Sequence, residues 1–321
     1  MPSRYMFALV NDSMTTWAYT KASMAVAVAI NRPAQLIGVG CLVITAIGWG
    51  LNWPATKFLL EQCPPLTARG IAGIVASLAL AGIAVSRGET LAVPRPLWWW
   101  LIGSALLNVS AWMGLTTLSL VWLKAGEAAT LAYTMPVWAA LLAWPVLGER
   151  LVPRKIAALA LGVCGVVVLL GGNGFSADRA KLPGVAIALA AAMLFALGTV
   201  LCKRRPLNMT PIAMTAWQVG IGCIVLLGAS FVLEHPHLLA MHWFGWAALS
   251  YTAAVSLGIC YITWFAALRR LEAGTAAIGT LLTPIIGVVA SAIALGEPLL
   301  FPQFASLALV VTGIILAVRP S

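Results

Sequence analysis

The chain has 321 residues, of which 62% are hydrophobic and only 9% charged, where a soluble domain carries about 25% charged residues. Surface grows too fast with chain size for a water-soluble fold of this length to hide so much apolar side chain, so the composition excludes one and points to a bilayer. The formal net charge of +10 sits in short loops between apolar stretches, where it sets membrane orientation rather than a nucleic-acid surface.

Residues 1–35 differ from the rest, carrying Arg4, Asp12, Lys21 and Arg32 without an uninterrupted apolar core before a small-residue cleavage site. They read as a cytoplasmic tail and not as a signal peptide, with Met24 as an alternative start. Apolar stretches of about 20 residues, the length that spans a bilayer, then recur at 36–56, 66–86, 97–117, 126–147 and 155–172. A polar break from Gly171 to Lys181 precedes five more, at 182–202, 210–233, 243–268, 273–295 and 302–319. The expected fold class is all-α integral membrane, with ten transmembrane helices.

With the N-terminus inside, fourteen of the nineteen Lys and Arg residues fall on the inner side; Lys57, Lys124, Arg179 and Lys181 fall outside, and Arg69 lies just within the second helix. The positive-inside rule then places both termini in the cytoplasm of a plasma (inner) membrane protein. Trp98, Trp99 and Trp100 at one face, and Trp122, Trp243 and Trp246 at the other, suit interfacial belts. The six cysteines form no CxxC pair, which argues against a disulfide framework or zinc site. His235, His237 and His242 share one loop, where Glu234 alone adds a carboxylate; a solvated loop is the reading, and no metal is assigned.

The chain repeats itself. Residues 125–170 match 273–318 without gaps at an offset of 148, with 15 identities in 46 positions. They include Gly126/Gly274, Pro136/Pro284, Gly148/Gly296 and Glu149/Glu297. A weaker match at offset 146 pairs Gly38 with Gly184, Lys57 with Lys203 and Pro65 with Pro211. Five spans per repeat is odd, so the second repeat must enter the membrane from the opposite side. Basic residues follow this inversion: Arg150, Arg154 and Lys155 follow Glu149, whereas the loop after Glu297 has none, and Lys203-Arg204-Arg205 is matched by Lys57-Phe58-Leu59. Two inverted five-helix repeats, 36–172 and 182–319, are the architecture of transporters that alternate access to a midplane site.

The run Trp49-Gly50-Leu51-Asn52…Lys57, with the doubled Pro136…Gly148-Glu149-Arg150 and Pro284…Gly296-Glu297, resembles the EamA family of the drug/metabolite transporter superfamily over residues 36–319. The resemblance implies a ten-helix transporter, often an exporter of amino acids or related metabolites. One departure is Phe195-Ala196-Leu197-Gly198 where the first repeat has Trp49-Gly50-Leu51-Asn52, so the halves do not contribute equally to a site.

Polar and aromatic side chains inside spans are costly and are the default site candidates. Trp49 and Asn52 share a helix face, with Trp53 beside them. Ser104, Asn108 and Trp112 form a stripe in which Asn108 either meets a substrate or bonds a neighbouring helix. Arg69 either snorkels or attracts a substrate carboxylate. Tyr133, Trp138, Trp217, Gln218, Tyr251, Tyr261, Trp264 and Thr280 complete the substrate-binding set. Lys57, Lys203, Pro136, Pro284, Glu149 and Glu297 are assigned structural or gating roles. Lys57 reads as snorkelling, the prolines as freeing carbonyls near Ala132 and Thr280, and the glutamates as capping helix ends. No Asp or Glu lies mid-span and there is no P-loop, which leaves facilitated diffusion or ion coupling and gives no support to ATP-driven transport. No cofactor is expected. The partners are a small-molecule substrate and the bilayer, with no nucleic acid, in a monomer or homodimer. Import or exchange of another metabolite or drug class is the alternative, and dispersed acidic residues argue against an integral membrane enzyme.

Overall fold

A computed structural model describes residues 33–148, 153–170, 179–235, 238, 241–271 and 279–318. The helices, in chain order, are α1 (Pro33–Leu59), α2 (Pro65–Ser86), α3 (Arg95–Ser119), α4 (Ala125–Leu147) and α5 (Pro153–Leu170). After a gap come α6 (Arg179–Arg204), α7 (Pro211–Leu233), α8 (Trp243–Leu268), α9 (Leu282–Leu295) and α10 (Phe301–Val318). No strand occurs among the described residues. Seven helices, α1–α4 and α6–α8, are long and apolar enough to cross a membrane by length and composition; α5, α9 and α10 hold shorter apolar stretches. The protein is a multi-pass membrane protein.

Helix starts and stops follow local chemistry. Pro65 and Pro211 open α2 and α7, where a missing N–H costs nothing and the fixed φ suits the first turn. The first-repeat helix α4 and the second-repeat helix α9 both end on a left-handed glycine, Gly148 at φ 70° and Gly296 at φ 64°, a conformation that other residues adopt at a steric cost.

Burial is arranged inside-out relative to a soluble protein. Long apolar side chains such as Leu78, Ile224 and Ile293 are exposed on the outer surface, while the interior is rich in alanine and glycine. Small residues let backbones approach where lipid removes any hydrophobic drive between helices. Thus α2 packs on α7 so closely that a Cβ at Gly73 would lie 2.0 Å from Cys223 Sγ. The α5–α10 pair is built the same way, with Gly165 facing the Ser306 carbonyl and Gly313 facing that of Ala158.

Two pairs of helices are interrupted at matching places. A π-helical stretch spans Leu106–Ala111 in α3 and Thr252–Ile259 in α8, and their starts are 146 residues apart, the offset of the weaker repeat. In the other pair, α4 breaks at Tyr133–Thr134, and Thr280–Leu281 forms a turn immediately before α9. Pro136 and Pro284 stand just after these breaks. Neither can donate to the carbonyl four residues earlier, that of Ala132 or Thr280, and each ring crowds that carbonyl. The interruptions therefore lie at the carbonyls to which the two prolines cannot donate.

Candidate functional site

The break in α4, the turn before α9 and the π-turn of α8 border a central cavity of about 510 Å³. Trp49, Asn52 and Trp53 reach it from α1, Arg69 from α2, and Trp112 and Thr116 from α3. Tyr133 and Pro136 line it from α4, Phe195 and Thr199 from α6, Ser256, Tyr261 and Trp264 from α8, and Thr280 from the turn before α9. Helices of both repeats thus meet at one chamber. Among the described residues, no Asp or Glu lines it.

The aromatic walls are held in pairs across helices. Trp49 meets Tyr261 edge-on at 5.7 Å between ring centres and Trp264 at 5.9 Å, and its indole N–H donates to the Ser256 carbonyl at 3.0 Å. That carbonyl lies within the π-stretch of α8. Trp53 meets Tyr133 at 6.4 Å, and Trp112 meets Phe195 at 4.8 Å. Such pairs are worth about 0.5–1.5 kcal/mol beyond their burial. Asn52 Oδ1 accepts from the Thr252 hydroxyl at 3.4 Å.

Arg69 is the cation of this chamber. It is 7% exposed; its Nε–H donates to Thr117 Oγ1 at 2.6 Å and its Nη2 to Thr56 Oγ1 at 3.1 Å. Among the described residues no carboxylate pairs with it, and Nη1 makes no hydrogen bond to the protein. Of the two readings left open for Arg69, snorkelling is overturned: the side chain turns inward, tied by threonines of α3 and α1.

The chamber is closed at one end and open at the other. Arg69, Trp53, Met113, Thr116 and Leu257 are buried, whereas Met135, Ala139 and Trp264 are half-buried and Thr199 is exposed. The closed end is stapled. The Lys57 ammonium donates to the carbonyls of Leu120 and Leu123, so it caps the end of α3 instead of snorkelling. Glu297 accepts from the backbone N–H groups of Ala125 and Gly126 at 2.6 and 3.1 Å, a carboxylate at the positive end of α4. Glu127 is paired with Lys181 at 2.8 Å. Glu234 accepts from the N–H groups of Leu66 and Thr67, both at 2.8 Å, and is thereby committed to capping α2.

The remaining expected site residues lie away from this chamber. Asn108 does share a stripe with Trp112, but α6 seals it: Gly198 packs on its amide, and Asn108 Nδ2 reaches Cys202 Sγ at 3.7 Å. Trp138 donates to Thr134 Oγ1 at 3.1 Å and lines a separate, smaller space between α4 and α5. Trp217 donates to the Leu91 carbonyl at 2.9 Å, Gln218 to Ser104 Oγ at 2.9 Å, and Tyr251 to the Gly48 carbonyl at 2.8 Å. Pro284 is buried in α9, Lys203 is exposed near the end of α6, and Glu149 lies outside the described residues. Sequence reasoning missed Phe195 and Thr199. Their signal was the repeat itself, since an offset of 146 carries Trp49 to Phe195 and Trp53 to Thr199.

The sequence matches the EamA-like transporter family twice, over residues 36–171 and 182–319. This chain belongs to the EamA-like transporter family. It is 34% identical over 277 residues to the uncharacterized transporter YvbV of Bacillus subtilis, covering 86% of this chain and 89% of that one. It is 27% identical over 284 residues to a probable amino-acid metabolite efflux pump of Salmonella typhimurium, covering 85% and 91%. A solved crystal structure superposes with a TM-score of 0.63 over 89% of this chain and 96% of that one, at 22% identity, which speaks for the fold alone. An EamA-like transporter acts on a small-molecule substrate within a lipid bilayer.

Proposed function

We propose that this EamA-like protein is a secondary transporter that exports amino acids or related small metabolites by alternating access. The carrying observation is the central cavity, lined by α1–α4 on one side and by α6, α8 and Thr280 on the other. In this reading the chain makes ten spans as two inverted five-helix repeats, with both termini cytoplasmic in a plasma membrane. Support comes from matched π-turns in α3 and α8, matched breaks near Pro136 and Pro284, and matched left-handed glycines. Further support comes from the charge asymmetry between equivalent loops.

The substrate occupies the cavity between the aromatic pairs, held by Trp49, Asn52, Trp53, Arg69, Trp112, Tyr133, Tyr261, Trp264 and Thr280. The closed end carries Lys57, Lys124 and Lys181 and faces the periplasm. The open end lies toward the Arg205 end of α6 and faces the cytoplasm. Release requires the staples at the closed end to part while α4 and α9 swing about the turns before Pro136 and Pro284. Efflux from proteoliposomes preloaded with radiolabelled amino acids and related metabolites tests the reading. Protein-dependent loss of at least one solute is expected; none across a broad panel would sink it.

A further inference from the structure

Resting on the transport reading above, we propose that the preferred cargo is a monoanion: a small organic acid with an aromatic or apolar body, its carboxylate on Arg69 and its body between the tryptophans. Arginine keeps its charge under all ordinary conditions and offers five N–H donors. Thr117 and Thr56 take two of them. Among the described residues, Nη1 is left without an acceptor, in a chamber that no described Asp or Glu lines. A buried cation without a counter-charge is strongly unfavourable, so a ligand anion is the group this site lacks. A planar carboxylate matches the guanidinium fork.

The rest of the chamber supplies the second half of the recognition. Trp49, Trp53, Trp112, Tyr133, Phe195 and Tyr261 present ring faces and edges but no formal negative charge. A substrate ammonium would find only cation–π contacts and neutral oxygens there, and would lie in the field of Arg69. Zwitterions are therefore handled less well than the matching acid, and amines poorly.

Charge also gives the direction of transport. An inside-negative membrane potential expels a monoanion, sustaining an outward gradient of about 50-fold for a tenth of a volt. A uniporter for such anions exports without a coupling ion, in keeping with a cavity that no Asp or Glu lines among the described residues.

The test uses four ligands on one skeleton: 3-phenylpropionate (anion), phenylalanine (zwitterion), 3-phenylpropionamide (neutral) and phenethylamine (cation). Calorimetric binding to the purified full chain and potential-driven efflux from proteoliposomes are measured for each. The expected order is anion, then zwitterion, with amide and amine at least tenfold weaker, and inside-negative potential accelerating anion efflux. Arg69→Gln is expected to bring anion and amide within about threefold of each other. Thr117→Val, which loosens the guanidinium without removing it, is expected to narrow the preference partway. Should Arg69→Gln fail to fold, the wild-type order and Thr117→Val decide. The proposal is overturned by amide or amine binding as tightly as the acid, by none of the four binding, or by a folded Arg69→Gln that keeps the preference. Any of these results, alongside efflux of some other solute in the broad panel, overturns the anion assignment while transport itself stands. Absence of all efflux overturns the transport reading.

Discussion

Asn108 and Gly198 touch across the α3–α6 contact so closely that a Cβ on residue 198 would lie 2.1 Å from Asn108 Oδ1. The offset of 146 pairs Gly198 with Asn52 and Asn108 with Ala254. In the first-repeat helix α1 the amide is on the motif, facing Thr252 of α8; in the second, the motif position is emptied to admit an amide from α3. The departure of the second motif from the first is thus steric. Gly198→Leu is expected to split α3 from α6 and lower stability by about 1–3 kcal/mol, the usual range for overpacking. Pairing it with Asn108→Ala should recover part of that loss, and a double-mutant cycle on thermal unfolding in detergent measures the coupling.

Glu297 holds the start of α4 through Ala125 and Gly126. Glu297→Ala removes the acceptor for two backbone donors and is expected to cost about 1–2 kcal/mol. Glu297→Gln retains one oxygen and should cost less. Equal melting temperatures for the alanine variant and the parent would show that the cap contributes nothing.

Trp49 and Trp217 separate site from scaffold. Trp49→Ala is expected to reduce transport at least tenfold, because it removes the ring that meets both Tyr261 and Trp264. Trp217 lies outside the chamber, packed edge-on against Trp98 at 5.1 Å, so Trp217→Ala should lower thermal stability with a smaller loss of flux per folded molecule. Flux normalised to folded protein distinguishes the two.

Much of this architecture was legible because bilayers impose length, composition and charge rules on every span, and because the chain repeats. The helix breaks beside Pro136 and Pro284 followed from a missing donor. What spacing alone missed was the rotation and neighbour of each interior residue. Asn108 and Trp112 do share a stripe, yet only Trp112 meets the cavity, since Gly198 lets α6 cover the amide. Lys57 read as snorkelling because its depth was known and its acceptors at Leu120 and Leu123 were not. The π-turns of α3 and α8 left no trace in composition.

Cys63, in the turn between α1 and α2, is 2% exposed. Burial, with Glu234 adding, pushes its thiol up to about 11 from 9.0. With Cys63 as the sole cysteine, maleimide labelling of folded protein is expected to stay slow at pH 7–8 and to rise as pH climbs toward 11. Unfolding should release fast labelling with the ordinary thiol pH dependence. Fast labelling of the native state at pH 7 would contradict this burial.

Alternating access is tested most directly at Asn52, on the cavity wall. A cysteine-free protein carrying Asn52→Cys is placed in vesicles of each orientation and treated with a membrane-impermeant thiol reagent, with and without transported substrate. Alternating access predicts labelling from the cytoplasmic face at rest and, during turnover, labelling from the opposite face as well. Labelling confined to one face while substrate still crosses would contradict it.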